Sequence, residues 1–404
     1  MGWAKNARTF SIYGSTMASR IFPGRVLCAA WVASLVLAGC AGPPSRTTRP
    51  AEQAPGASST HEAAISAYRA RPGRTRAVIA VVGENSGVEV SDFLVPFAIL
   101  SRAGTLDVSA VTLEAGPLST FTDLGSPGFR IETDTTVAQF DAVHPDGADY
   151  VIVPAQASTP RLIAWLKQQS RQGATIVTIC NGALVAAKMG TFDGRRATAH
   201  WSTGATRKKQ YPAIRWTPNQ RYVADGNWVS TAGVSAAIPA SLALVEAISG
   251  REKAQHIARA VGATAWSAQH DSDAFSPRLG TTALPLAKVL YTNRWLHGRD
   301  QIDVMGATGM DESTLALTID AYSTTGRSQA YLVSATGEPF VTRHGLRVLP
   351  DRRRMPDSAV PLVTAADLTP VMALDAALNG IMQRYGRATA KGVALAFEYP
   401  DFPR

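Results

Sequence analysis

The sequence predicts an α/β protein in which a mostly parallel sheet is sandwiched by helices. Short, continuous Val/Ile runs recur, as in AVIAVVG at Ala77 to Gly83, DYVIVPA at Asp149 to Ala155 and ATIVTI at Ala174 to Ile179. Segments of helical period separate them, and strands that are apolar on both faces mark a sheet covered on both sides. With 404 residues and 46% apolar content, the chain can bury a sizeable core and is long enough for two domains.

The first 25 residues carry Lys5, Arg8, Arg20 and Arg25 and no acid, and the apolar run VLCAAWVASLVLAGC follows from Val26 to Cys40. This is the pattern of a secretory signal. The run falls short of the roughly 20 residues that a bilayer span requires. Leu37-Ala38-Gly39-Cys40 resembles the lipobox of bacterial lipoproteins, which implies a signal peptide over 1–39 and lipidation of Cys40. The predicted location is then the bacterial cell envelope, with the membrane as partner through the anchor. Ala41 in place of aspartate implies the periplasmic face of the outer membrane, and Met17 is an alternative start. Loss of the signal removes four basic residues and leaves a mildly basic chain, which implies no nucleic-acid surface. It also leaves Cys180 as the one thiol not committed to signal or anchor, without a disulfide partner.

Residues 40–75, rich in Pro, Ala, Ser, Thr and Arg, read as a flexible tether with a short helix around His61 to Tyr68. Order is expected from Arg76. Helices are predicted over Ser91–Arg102, Pro160–Gln172, Ala183–Met189 and Ala236–Ile248, with strands at Val108–Leu113 and near Arg221 and Trp228. No GxGxxG or P-loop interrupts this pattern, so no nucleotide cofactor is expected. The seven scattered histidines and the lack of CxxC give no metal spacing.

An internal repeat follows the first domain. QIDVMGATGMDESTLAL from Gln301 parallels VIAVVGENSGVEVSDFL from Val78, and HGLRVLPD at His344 parallels PGFRIETD at Pro127. The segment from Leu378 parallels that from Leu242, with Gly386 over Gly250 and Ala390 over Ala254. The organisation is therefore a domain over 76–275, a linker over 276–299 and a truncated, cysteine-less second α/β copy over 300–404. Coincidence between two amphipathic α/β segments is the alternative.

The segment TIVTICNGALVAAKMGTFDGRRATAHW, Thr175 to Trp201, places Cys180 at the end of a buried strand, before Asn181-Gly182 and a helix. Such an elbow sets sulfur over the positive helix end, where thiolate is favoured and nucleophilicity follows. A buried inert cysteine is the plainer reading of the same position. His200 could serve only to satisfy backbone groups at a strand end, and Asp92 only as an acid in the first helical turn, capped by Ser91.

That stretch, with SDFLVPF at Ser91 to Phe97 and RYVADGNWVSTAGVSAAIPASLALVEAISG, resembles the ThiJ/PfpI superfamily of class I glutamine amidotransferase-like, flavodoxin-like proteins. Within it, GTFDGRRATAHW is similar to the branch of isonitrile hydratases and the amidase-like domains of AraC-type regulators. The resemblance implies Cys180 as nucleophile, His200 as its imidazole neighbour and Asp92 as an acid hydrogen-bonded to the sulfur. It places the oxyanion hole or pocket at Ala155, Gln156, Asn181 and Gly182. Val153-Pro154-Ala155-Gln156 departs from the family's glycine pair, and Asn181 stands where protease-like members carry histidine. Ser235 reads as helix packing and His270-Asp271-Ser272 as a turn cap.

The resulting expectation is a cysteine-dependent hydrolase or hydratase on a small carbon–nitrogen compound, similar to isonitrile hydratase or an amidase. The alternatives are a non-catalytic ligand-binding or sensor module and a redox-sensing thiol protein. A small molecule is the expected ligand, and a homodimer stays open.

Overall fold

The computed structural model describes residues 65–353, 360–362 and 368–402. A seven-stranded sheet forms its first half: β1 (Val78–Gly83), β2 (Asp107–Thr112), β3 (Thr135–Thr136), β4 (Tyr150–Val153), β5 (Thr175–Thr178), β6 (Tyr222–Asp225) and β7 (Trp228–Thr231). The strands lie in the order β6-β7-β5-β4-β1-β2-β3, with all neighbours parallel except the β6-β7 hairpin. Along β1, Ile79 and Val81 enter one apolar cluster while Ala80 and Val82 enter another. Both faces are covered, which is why the run reads as continuous rather than alternating.

The helices that matter for the site are α1 (Val90–Ser101), α2 (Gly182–Lys188), α3 (Ala237–Ser249) and α4 (Arg251–Val261). In α1 every residue from Val90 to Leu100 is buried. Its cap is Glu89 rather than Ser91: the Glu89 carboxylate accepts the Asp92 amide at 2.6 Å.

The second half contains β8 (Asp300–Met305), α5 (Glu312–Thr324), β9 (Ser328–Ser334), β10 (Arg352–Arg353), β11 (Val360–Leu362), α6 (Pro370–Tyr385) and α7 (Arg387–Ala396). Its parallel sheet runs β10-β9-β8-β11, the same order as β3-β2-β1-β4 in the first half. Gly386 between α6 and α7 has φ 83° and ψ 158°, and Gly250 between α3 and α4 has φ 85° and ψ 163°. Both need the conformational freedom of glycine. Among the described residues, the second half has no counterpart of β5, β7 or the cysteine elbow.

The halves share a sheet and a core. Pro127–Glu132 pairs antiparallel with Arg347–Leu349, Ile131 facing Val348, so the segments that read as copies are also partners. Helix α1 packs on α5, and one apolar cluster takes Phe93 and Ile99 from the first half with Leu315, Ile319 and Phe397 from the second.

Two stretches differ from the sequence expectation. Residues 65–75 lie against the first domain without forming a helix: Tyr68 N–H donates to Ala247 O at 2.9 Å, and Arg71 and Arg74 pair with Asp149 at 2.9 and 2.8 Å. Ordered contacts therefore begin before Arg76. The linker region carries a helical run of Ala283–Ala287, Lys288–Thr292 in a wider π turn, and Asn293–Leu296. The signal segment, Cys40 and residues 40–64 lie outside the described residues. No helix among those described is long and apolar enough to cross a membrane.

Asp149 is buried and also accepts the Val78 amide of β1 at 2.8 Å. Removing it strands two partly buried guanidinium groups, so Asp149→Ala should destabilise the fold by about 3 kcal/mol. Urea denaturation would measure this; a change within experimental error would mean that the 65–75 segment contributes nothing to stability.

Candidate functional site

Cys180 sits between β5 and α2 with φ +52°, in the left-handed region. A non-glycine residue there costs about 1 to 3 kcal/mol, and such strain persists where the surroundings over-determine it. Here the Cys180 amide donates to Thr231 Oγ1 of β7 at 3.1 Å. Gly182 opens α2 against the β4 end so closely that a Cβ would collide with Val153 O and Pro154. Glycine is thus required for helix and strand to meet at this angle.

The sulfur is shut in. Cys180 is 1% exposed and forms no disulfide. Burial pushes the thiol pKa well above its usual range, the charges of Asp92, Asp123 and Glu89 push it further, and a hydrogen bond from the Asn181 backbone opposes them. This corrects the expectation of a thiolate. A seven-residue helix offers a weak dipole, and desolvation with three acidic neighbours outweighs it.

Asp92 lies in the first turn of α1, fully buried. Its Oδ2 accepts the Ala155 amide at 3.1 Å, and the Glu89 side chain is its other hydrogen-bond partner. Burial raises its pKa to about 7, against hydrogen bonds from Ala155 and Glu89 that pull it down. The expected hydrogen bond from Asp92 to sulfur is not formed; the carboxyl is engaged by Ala155 and Glu89 instead. The same contact occupies the Ala155 N–H proposed for the oxyanion hole. Gln156 is spent on the β1 end, with Nε2 donating to Val82 O at 3.1 Å and Oε1 accepting the Glu84 amide at 2.6 Å. Asn181 caps α2, and its Oδ1 accepts from Thr203 Oγ1 at 2.9 Å.

His200 is buried but turned to other partners. Its Nε2 meets Ala396 O at 2.7 Å and its Nδ1 meets Ser202 Oγ at 2.6 Å. No hydrogen bond joins it to Cys180. Since a carbonyl only accepts, Nε2 carries the proton and Nδ1 receives the Ser202 hydroxyl. Burial lowers its pKa, with Glu398 opposing.

The sequence reading missed four acids, two of them from the second half. Asp320 of α5 accepts from Ser91 Oγ at 2.8 Å and from the Asp123 amide at 2.9 Å. Burial raises Asp320, and burial with the Asp320 charge raises Glu89 and Asp123 well above the ordinary range. Glu398, also at positive φ, accepts from His270 Nε2 at 2.8 Å, Ser272 Oγ at 2.9 Å and the Trp201 amide at 3.0 Å. Burial would raise it, but the bond from His270 and the two imidazoles hold it below the usual range. His270 and Ser272 thus anchor Glu398, Asp271 caps its turn through the Ala274 amide, and Ser235 Oγ donates to Glu398 O at 2.6 Å. The SGVEVSD motif contained a signal for Glu89, an acid at a helix start. Asp320 and Glu398 had no local signal.

Away from the thiol, Asp311, Glu312 and His344 bring ligand atoms within 4.8 Å of one another. Asp311 is paired with Arg102, and Glu312 is hydrogen-bonded to the His344 ring and its backbone amide, so both carboxyls are already engaged. Two surface cavities, one beside Pro127 and Tyr331 and one beside Tyr68 and Tyr150, are not lined by Cys180, Asp92 or His200.

The strained cysteine elbow at the carboxyl ends of a parallel sheet defines a class of α/β thiol-site proteins. Residues 76–247 match the DJ-1/PfpI family model, and this part of the chain is a DJ-1/PfpI family domain. The chain is 35% identical over 104 residues to the HTH-type transcriptional regulator CdhR of Pseudomonas aeruginosa, covering 26% of this chain and 31% of the regulator. It is 25% identical over 175 residues to isonitrile hydratase of Pseudomonas putida, covering 42% and 71% respectively. Drosophila melanogaster protein dj-1beta is 27% identical over 180 residues, covering 43% and 90%. Its crystal structure superposes with a TM-score of 0.40 over 47% of this chain and 99% of that one, at 25% identity.

The raised carboxyls make a pH prediction. Unfolded, Asp92 ionises near 4, whereas folded it holds its proton to about 7. Its contribution to stability is therefore full below about 4 and is lost as the pH rises through about 7. The melting temperature should fall between pH 5 and pH 8, and Asp92→Asn should flatten that fall. An identical slope in wild type and variant would show that Asp92 titrates as it does in the unfolded chain.

Proposed function

We propose that the first domain is a cysteine-dependent hydrolase or hydratase acting on a small, uncharged carbon–nitrogen compound, with Asp92 rather than His200 managing the proton. The observation that carries this reading is the strained Cys180 in the neighbourhood of the buried Asp92 carboxyl, which burial keeps protonated up to about pH 7. Protonated below about pH 7, Asp92 can give its proton to the substrate as sulfur bonds to carbon, then take the thiol proton in return. With an isonitrile or nitrile, water then adds to the same carbon and displaces the sulfur, releasing an amide and the thiol; with an amide, the amine leaves carrying the Asp92 proton as the sulfur–carbon bond forms, and water releases the acid and the thiol. Sequence similarity to isonitrile hydratase supports the substrate class.

A second reading, a non-catalytic ligand-binding or sensor module, is favoured by the closure of the thiol and by the commitment of His200 to Ala396 and Ser202. Similarity to the CdhR regulator over 104 residues agrees with it. The redox alternative loses its premise, since it needs an exposed thiol of low pKa. We read residues 300–404 as the truncated second copy, serving to close the site through Asp320 and Glu398. The lipid anchor at Cys40 and the envelope location belong to the same proposal and rest on the sequence of the signal segment.

Purified protein given a panel of isonitriles, nitriles and amides should turn over at least one, and Cys180→Ala should abolish that turnover. Asp92→Asn should reduce it by roughly 10²-fold or more, in line with the loss of a general acid. Equal rates in wild type and Cys180→Ala would end the catalytic reading. The sensor reading would then predict a ligand that raises the melting temperature equally in both.

A further inference from the structure

The helical run between the two halves has two faces of different character. Leu286, Val289 and Asn293 face inward and are buried, Asn293 donating to Thr325 O at 2.7 Å. That face completes the run's packing. On the other side Leu284 is 80% exposed, Tyr291 62%, Trp295 83% and Leu296 73%, and Leu279 just before the run is 95% exposed. The spacing 284, 288, 291, 295 is one helical stripe, filled by Leu, Lys, Tyr and Trp. Such a patch has no part in folding, and large exposed apolar patches mark interaction surfaces.

The charge around the stripe is of one sign. From Ser276 to Arg299 the chain carries Arg278, Lys288 and Arg299, with His297 and no acid, while Arg294 turns inward and donates to Leu124 O at 2.8 Å. The flanking acids are engaged: Asp273 accepts from Asn219 at 3.0 Å and Asp300 from Tyr385 at 2.9 Å.

We propose that this face docks on an anionic phospholipid membrane, lying in the interfacial plane. Trp and Tyr prefer that zone, Leu side chains enter the acyl boundary, and Lys and Arg meet lipid phosphates. The run from Ala283 to Leu296 is about 20 Å long at 1.5 Å per residue, too short to span and suited to lie flat. A second copy of the chain fits less well. A two-fold pairing would bring the cations of one stripe against those of the other, with no acid in the segment to answer them. The proposal goes beyond the thiol site, and a lipid on Cys40 would serve it by holding the domain near such a surface.

The test uses the full chain reconstituted in vesicles of phosphatidylethanolamine and phosphatidylglycerol whose acyl chains carry bromine. Tryptophan fluorescence should be quenched in wild type, and Trp295→Phe should remove that quenched component. Replacing phosphatidylglycerol by phosphatidylcholine should weaken it. Quenching identical in Trp295→Phe, or none while the protein still sediments with vesicles, would overturn membrane docking and leave the anchor untouched. The mass of the processed N-terminal peptide reports the anchor separately. Concentration-dependent dimerisation in the absence of vesicles, abolished by Trp295→Glu, would assign the face to a second copy and equally overturn the proposal.

Discussion

The burial of the Asp320 carboxyl between α1 and α5 is the constraint on which this structure turns. Two hydroxyls and a backbone amide satisfy it, from Ser91, Thr324 and Asp123, and two of these donors belong to the opposite half of the chain. A carboxyl withdrawn from water without them would be costly, so the halves hold each other in register. Its proximity to Glu89 and Asp92 then forbids ionisation of the whole group together. Like charges in a low dielectric are relieved by keeping protons.

That acidic interior decides the state of the sulfur. An elbow by itself favours a thiolate, but it acts through a short helix, whereas desolvation and three carboxyl neighbours act directly on Sγ. The outcome is a thiol held protonated near a carboxyl whose pKa is raised to about 7. On the catalytic reading proposed above, paired proton movement replaces attack by a free anion, and reaching the sulfur requires the surrounding shell to open.

The other side of the site is organised from the end of the described chain. Glu398 collects His270, Ser272 and the Trp201 amide, while Ala396 fixes the tautomer of His200. Both carboxyls that discipline the site, Asp320 and Glu398, come from the half that carries no cysteine. The segments of the second half that touch the first are α5 against α1, Arg347–Leu349 paired with Pro127–Glu132, and the turn at Ala396 to Glu398 beside His200.

Local pattern was enough to read the alternation of strands and helices, the cysteine at the strand end before Asn181-Gly182, and the repeated glycines Gly250 and Gly386. These depend on neighbours within a few residues, where backbone geometry and apolar period leave their mark. The partners of His200 and Asp92 did not leave such a mark. Ser91 and Asp320 are 229 residues apart and His200 and Ala396 are 196 apart, so only packing of the two halves could bring them together. The residue types and the elbow were determined by sequence alone; whether the thiol is ionised, and whom the histidine serves, was decided by tertiary structure, because desolvation and charge proximity exist only once distant segments have closed around the site.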